Sequence, residues 1–256
     1  MVSLFSMLTI TLGVVVAPAP PTKLSGAPMW ADSARREIEV ARAQADTTRL
    51  EGARVMIERA LAAHPDDALL LHYLGYAGYR EAEARFSAGG LAALRPLVSA
   101  TQQALERSAT LKPLPETYAL IASVLGQRIR LDPSQASVFG RQASSQMHRA
   151  VELGPKNPRV WLTMGRRSIF VPAAYGGGLD HAETCLKRAL ELFAKDTPAP
   201  PLPAWGEAEA HLWLGQAYER RGKHDEARRE YARALELEPE NGWVAKVLLP
   251  RVEKAQ

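Results

Sequence analysis

The sequence predicts an all-α fold, a helix-turn-helix repeat solenoid of about five units with a C-terminal capping helix. The first observation behind this is a recurring spacing: a small residue, a second position four residues on, a third three further, then a proline after five more. It reads Ala227, Tyr231, Ala234, Pro239 near the C-terminus, and it returns as Ala53, Ile57, Ala60, Pro65, as Thr101, Leu105, Ser108, Pro113, and as Ala143, Met147, Ala150, Pro155. A further copy, Ala182, Leu186, Ala189, is followed by Pro198 instead. Steps of four and three keep residues on one helix face, and a proline ends the helix. The second observation is composition: 256 residues with 46% hydrophobic content can bury a sizeable core. The third is the single cysteine, Cys185, which excludes an internal disulfide and a multi-cysteine metal site. Packing must therefore stabilise the chain.

Residues 1–31 form a signal-like or anchor segment with a linker. The first 22 residues carry no charge, and an apolar run from about Leu4 to Ala17 precedes Ala17-Pro18-Ala19. This pattern points to export or membrane attachment, and the run is shorter than the ~20 residues of a spanning helix. The expected location is thus periplasmic or membrane-associated, or cytoplasmic if the segment is not a signal. The helical repeat domain then covers 32–256, with units at about 34–67, 68–115, 116–157, 158–198 and 207–241 and a cap at 242–256.

The second unit lengthens its first helix through YREAEARFSA and breaks at Gly89-Gly90. In the third, Asp132-Pro133-Ser134 reads as a turn and helix start. The fourth contains Tyr175-Gly176-Gly177-Gly178 between its helices. A phosphate-binding loop would need a buried strand before the glycines and Lys-Ser/Thr after them. Here a helix precedes and Leu179-Asp180-His181 follows, so the glycines read as a tight reversal with Asp180 as helix N-cap. On that reading any one of the three tolerates alanine with modest loss. Between the fourth and fifth units, KDTPAPPLPAWGE reads as a long extended loop, with a proline-rich recognition ligand as its alternative use.

In the last unit Gly215, Tyr218, Ala227, Tyr231, Ala234 and Pro239 occupy the signature positions of a 34-residue repeat, with His211 at the usual tryptophan position. Trp161-Gly165 and Leu74-Gly75 match in earlier units, and Ala41 and Ile121-Ala122 replace the Leu-Gly pair elsewhere. The chain resembles the tetratricopeptide repeat family over about Asp32 to Asn241. Its Gly-Gly insertion is also similar to exported bacterial members, including the periplasmic repeat component of some TRAP-type transporters.

The resemblance implies a concave surface lined by the first helix of each unit. In this chain the residues of that surface include His72, Tyr76, Tyr79, Arg159, Leu162, Arg166, Gln216 and Glu219, with Arg42 and Glu209 also in register. Aromatic and arginine side chains are common at interfaces, and arginine grips carboxylates bidentately. The expected function is a non-catalytic scaffold binding an extended peptide or partner helix in this groove. The alternative is an exported small-ligand-binding or transporter-accessory protein. No catalytic set, cofactor motif or complete metal-ligand set is expected: His181 and Cys185 share a helix face but lack a third ligand. Nucleic acid is not an expected partner, because the 32 basic residues are interspersed with 28 acidic ones and leave a net charge of only +4.

Overall fold

In the computed structural model, which describes residues 28–88 and 91–255, every regular element is helical. Ten helices form five antiparallel pairs: α1 (Pro28–Ala43) with α2 (Thr47–Ala63), α3 (Ala68–Ala88) with α4 (Arg95–Leu111), α5 (Pro115–Leu131) with α6 (Ala136–Leu153), α7 (Pro158–Phe170) with α8 (Leu179–Phe193), and α9 (Glu207–Glu219) with α10 (His224–Leu237). A π turn at Val244–Leu248 leads into a short α11 (Leu249–Glu253) that caps α10. None of these helices is long and apolar enough to cross a membrane. The apolar run from Leu4 to Ala17 lies outside the described residues, as does the break at Gly89-Gly90.

The pairs stack so that α1, α3, α5, α7 and α9 each touch the next of that set, forming an inner layer. Burial follows this arrangement. Helix α9 lies between neighbours and buries ten of its residues, whereas α10 buries only the stripe Ala227, Tyr231 and Ala234. That stripe is the recurring sequence pattern, and its small members let backbones approach. A Cβ on Gly215 would lie 2.5 Å from the Tyr231 ring, one on Gly75 2.3 Å from Leu105, and one on Gly165 2.6 Å from Leu186. In three units, then, a glycine of the inner helix receives the large side chain of the outer one.

The unit boundaries are also local. His64, Lys112, Gly154 and Glu238 each end an outer helix directly before a proline, with φ of −134°, −150°, −140° and −135°. A following proline disfavours the helical conformation and forces this exit. Asp67 and Asn157 then accept backbone N–H groups of the next inner helix, at 2.9 Å from Leu69 and Leu70 and at 3.0 Å from Arg159. The fourth pair has no such proline, and Ala194 remains helical at φ −57°. The chain runs on into the proline-rich segment instead.

At the glycine insertion, Ala173–Tyr175 make a single 3-10 turn and Gly176 and Gly178 have φ of +79° and +94°. Their amides are consumed internally: Gly176 donates to Ala173 O, Gly177 to Pro172 O, and Gly178 to Ser168 O and Val171 O at 2.8 Å. Those donors are therefore turned into the loop. Two details differ from the sequence reading. The N-cap is Gly178, with Asp180 exposed in the first turn, since the left-handed backbone at 178 makes the chain's entry one that glycine adopts. Gly177 has no room for a side chain, because a Cβ would sit 2.0 Å from Val171 O.

Candidate functional site

The inner layer curves around an interior that the chain fills itself. Residues 196–206 leave α8, turn at Ala199–Leu202, and press Pro201, Pro203, Trp205 and Gly206 against the inner helices. The Tyr73 hydroxyl donates to the Pro201 carbonyl at 2.7 Å. The Trp205 indole stacks on Tyr76, with ring centroids 4.8 Å apart and planes 15° from parallel. Arg159 holds Asp196 at 2.6 Å, tying the start of the segment to α7. At its end, Gly206 adopts φ +111° with Leu162 so close that a Cβ would be 2.7 Å away.

Beneath Trp205 lies an ionic network. Arg80 on α3 makes a bidentate pair with Glu209 on α9, at 3.0 and 2.5 Å, and also donates to Glu83 at 2.9 Å and to the Tyr76 hydroxyl at 3.2 Å. Its guanidinium lies 5.0 to 5.7 Å from the rings of Tyr76, Tyr79 and Trp205. Arg166 completes the cluster through Glu83 and the Tyr79 hydroxyl, and the Trp213 indole donates to Glu209 at 3.1 Å. Arg42 bonds Glu238, so the first inner helix meets the end of α10 across the interior. Glu39 accepts from the Tyr76 hydroxyl.

Burial opposes ionisation of Glu209, but Arg80, by charge and hydrogen bonds, and then Arg42 and Arg166 outweigh it and hold the carboxyl well below its usual range. For Arg42, burial opposes the charge while Glu39, Glu238 and Glu209 outweigh it, so the guanidinium stays protonated. Burial, with the charge of Arg159, pushes the fully buried His72 imidazole down to about 3. Its Nδ1 lies 2.9 Å from Thr117 Oγ1, and its Nε2 has no acceptor to hold a second proton. His72 is a neutral packing residue between α3 and α5.

The eight expected groove residues therefore divide. Tyr76, Tyr79 and Arg166 converge on the network, and His72, Arg159 and Leu162 lie on the inner surface that the segment covers. Gln216 is buried on α9. Glu219 is engaged apart from that network: its carboxylate accepts from the Tyr231 hydroxyl at 2.6 Å and pairs with Arg251 at 2.5 and 2.8 Å, which ties α9 to α10 and the cap. His72 and Tyr76 are fully buried, so they are packing residues as well.

The sequence reading missed Arg80, Asp196 and Trp205. Arg80 follows Tyr76 by one helical turn and was within reach of the same periodicity, because α3 runs a turn beyond the standard repeat. Nothing local marks Trp205, which sits in a loop. His181 and Cys185 do meet, at 3.5 Å, with Ser168 Oγ 2.9 Å from the other imidazole nitrogen. Burial pushes the Cys185 thiol up to about 11, so it is held as a thiol.

The architecture is an α-helical repeat solenoid with a filled inner face. Residues 208–241 match the family model described as Tetratricopeptide repeat, and the protein carries that repeat and the fold of tetratricopeptide-repeat proteins. A search of curated proteins gave no match. Among solved structures, the HusA haemophore from Porphyromonas gingivalis is similar at TM-score 0.62 and 20% identity, covering 77% of this chain and 96% of that one. A thermophilic TPR protein from Thermus thermophilus, TTC0263, is similar at TM-score 0.57 and 23% identity, covering 87% and 98%. At these identities the likeness is one of fold.

Proposed function

We propose that the protein is a non-catalytic interaction scaffold whose concave surface recognises an extended, proline-bearing peptide. The observation that supports this is the helix-free segment 196–206 seated there, gripped by a tyrosine hydroxyl on a carbonyl, an aromatic stack and an arginine on a carboxylate. These are the contacts by which aromatic-lined grooves read proline-rich chains, with little entropy lost because proline is already stiff. The segment acts as an occupant in cis, and a partner presenting similar chemistry would replace it.

The test replaces Thr197–Trp205 with a glycine-serine linker and titrates a synthetic peptide of residues 196–206. Saturable binding to the replaced chain and none to the wild type is expected. A replaced chain with unchanged helical circular dichroism that ignores the peptide would sink the reading. Trp205→Ala provides a second route, because it loosens the same segment while leaving the linker length intact.

The second reading, a small-ligand or transporter-accessory protein, is favoured by a cleft of about 450 Å³ between α2, α3 and α4, walled by Leu74, Leu94 and Leu97 with Arg54, Glu81 and Arg85 at its polar side. Its volume suits a small organic molecule. We also propose export or membrane attachment through residues 1–31, on the charge-free apolar run alone. A reporter joined after Trp30 that stays in the cytosolic fraction would overturn that.

A further inference from the structure

The edge where α7, α9 and the cap meet is unlike the rest of the surface. Phe170 at the end of α7 is 59% exposed, Trp243 is 44% exposed and Val247 46%. Between Phe170 and Trp243 stands the Trp213 indole, edge-on to both at 5.9 and 6.4 Å between centroids. The three rings form a ladder whose two ends are open and whose middle is buried. Exposed aromatic side chains in contiguous contact are unusual on a solvated surface and mark interaction sites.

At the exposed Phe170 end of the ladder the neighbouring charge is a cation, while the Glu209 carboxylate that meets the middle ring is buried and paired with Arg80. The Arg220 guanidinium lies 5.0 Å over the Phe170 ring, and its only polar contact among the described residues is a long one, 3.5 Å, to the Ile169 carbonyl. It has no carboxylate partner among the described residues, in contrast to Arg221 next to it, which holds both Asp180 and Glu183. The nearby carboxylate of Glu219 is already taken by Tyr231 and Arg251. Lys246, between Trp243 and Val247 in sequence, is exposed as well.

This edge also continues the filled inner surface. Trp213 donates to Glu209 and so connects the ladder to the network under Trp205. Segment 196–206 covers Tyr76 through Trp205, whereas Phe170 and Trp243 are exposed.

We propose that this edge docks an acidic protein segment bearing a bulky apolar side chain. The apolar side chain packs on Phe170 and Trp243, displacing water from both rings, while carboxylates flanking it take the open fork of Arg220 and the ammonium of Lys246. Arginine already stacked on an aromatic ring loses little freedom when it binds a carboxylate. The inference rests on the scaffold reading but names a different surface and a partner of different chemistry from the proline-rich occupant.

The experiment uses the full chain and two synthetic peptides, EEFLEELEE and KKFLKKLKK, followed by tryptophan fluorescence and by calorimetry. The acidic peptide is expected to bind saturably and the basic one not. Phe170→Ala and Arg220→Glu should each weaken the acidic peptide by about tenfold or more, the range of an interface anchor, with helicity unchanged because both side chains are exposed. Arg220→Glu should also turn the preference toward the basic peptide. The proposal is overturned if neither peptide binds, if both variants bind like wild type, or if sedimentation shows wild-type self-association that Phe170→Ala abolishes, which would assign the edge to a second copy. The peptide of residues 196–206 on the linker-replaced chain is the separating control. Its binding should be indifferent to both substitutions, so loss there bears on the groove reading and loss here on the edge alone.

Discussion

Arg80 and Glu209, 129 residues apart, face each other through two hydrogen bonds at 3.0 and 2.5 Å with side chains only 3% and 6% exposed. This pair joins the second unit to the fifth across the interior, where stacking of successive units alone would leave them apart. Because water is largely excluded, the cost of removing one partner is dominated by the stranded charge of the other.

Arg80→Ala and Glu209→Ala should therefore each destabilise the fold by about 3–5 kcal/mol, while the double change to methionine should cost far less. Urea unfolding of the four proteins checks this order of stabilities. Single changes that cost under ~1 kcal/mol would show that solvent reaches the pair.

His72 makes stability depend on pH in a stated direction. Its folded pKa, about 3, lies below the unfolded value of about 6.5, so its contribution is full above that value and is lost as pH falls toward the folded one. Between pH 6 and 4 the wild type should lose about 1.4 kcal/mol more per pH unit than His72→Leu, as one proton is taken up on unfolding. Parallel stability curves for the two proteins would count against a buried neutral imidazole.

Trp205→Ala should release segment 196–206 from the interior. The loss is expected at about 3 kcal/mol or more, from the stack on Tyr76 and the void left over Arg80. Limited proteolysis should then cut the variant within this segment under conditions that leave wild type intact.

Gly176 and Gly177 should respond unequally. Gly176→Ala meets open space and carries only the left-handed backbone, about 1 kcal/mol, whereas Gly177→Ala drives a methyl into Val171 O and should cost about 1–3 kcal/mol or more. Thermal melts rank them, and equal melting points would contradict the close approach.

Ala234→Glu tests the repeat itself. Ala234 is 1% exposed in the α9–α10 contact, and an unpaired carboxylate there should cost at least about 3 kcal/mol. A variant that unfolds like wild type would mean the stripe is not the seam between the helices.

What the sequence by itself determined is whatever a single helix or turn specifies. The four-three-five spacing marked the outer helices, and proline after His64, Lys112, Gly154 and Glu238 placed their ends, because the pre-proline restriction acts on adjacent residues. The register of α3 likewise brought Tyr76, Tyr79 and His72 to the inner face. Tertiary structure decided the use of that face. Trp205 has no local partner, and its place was fixed only when Tyr76 and Arg80, over a hundred residues earlier, offered a dry aromatic and cationic surface. Tertiary structure also gave Glu219 its partners, Tyr231 and Arg251, which tie α9 to α10 and the cap. Desolvation and ion pairing between distant residues depend on where helices stack, and no local pattern encodes that distance.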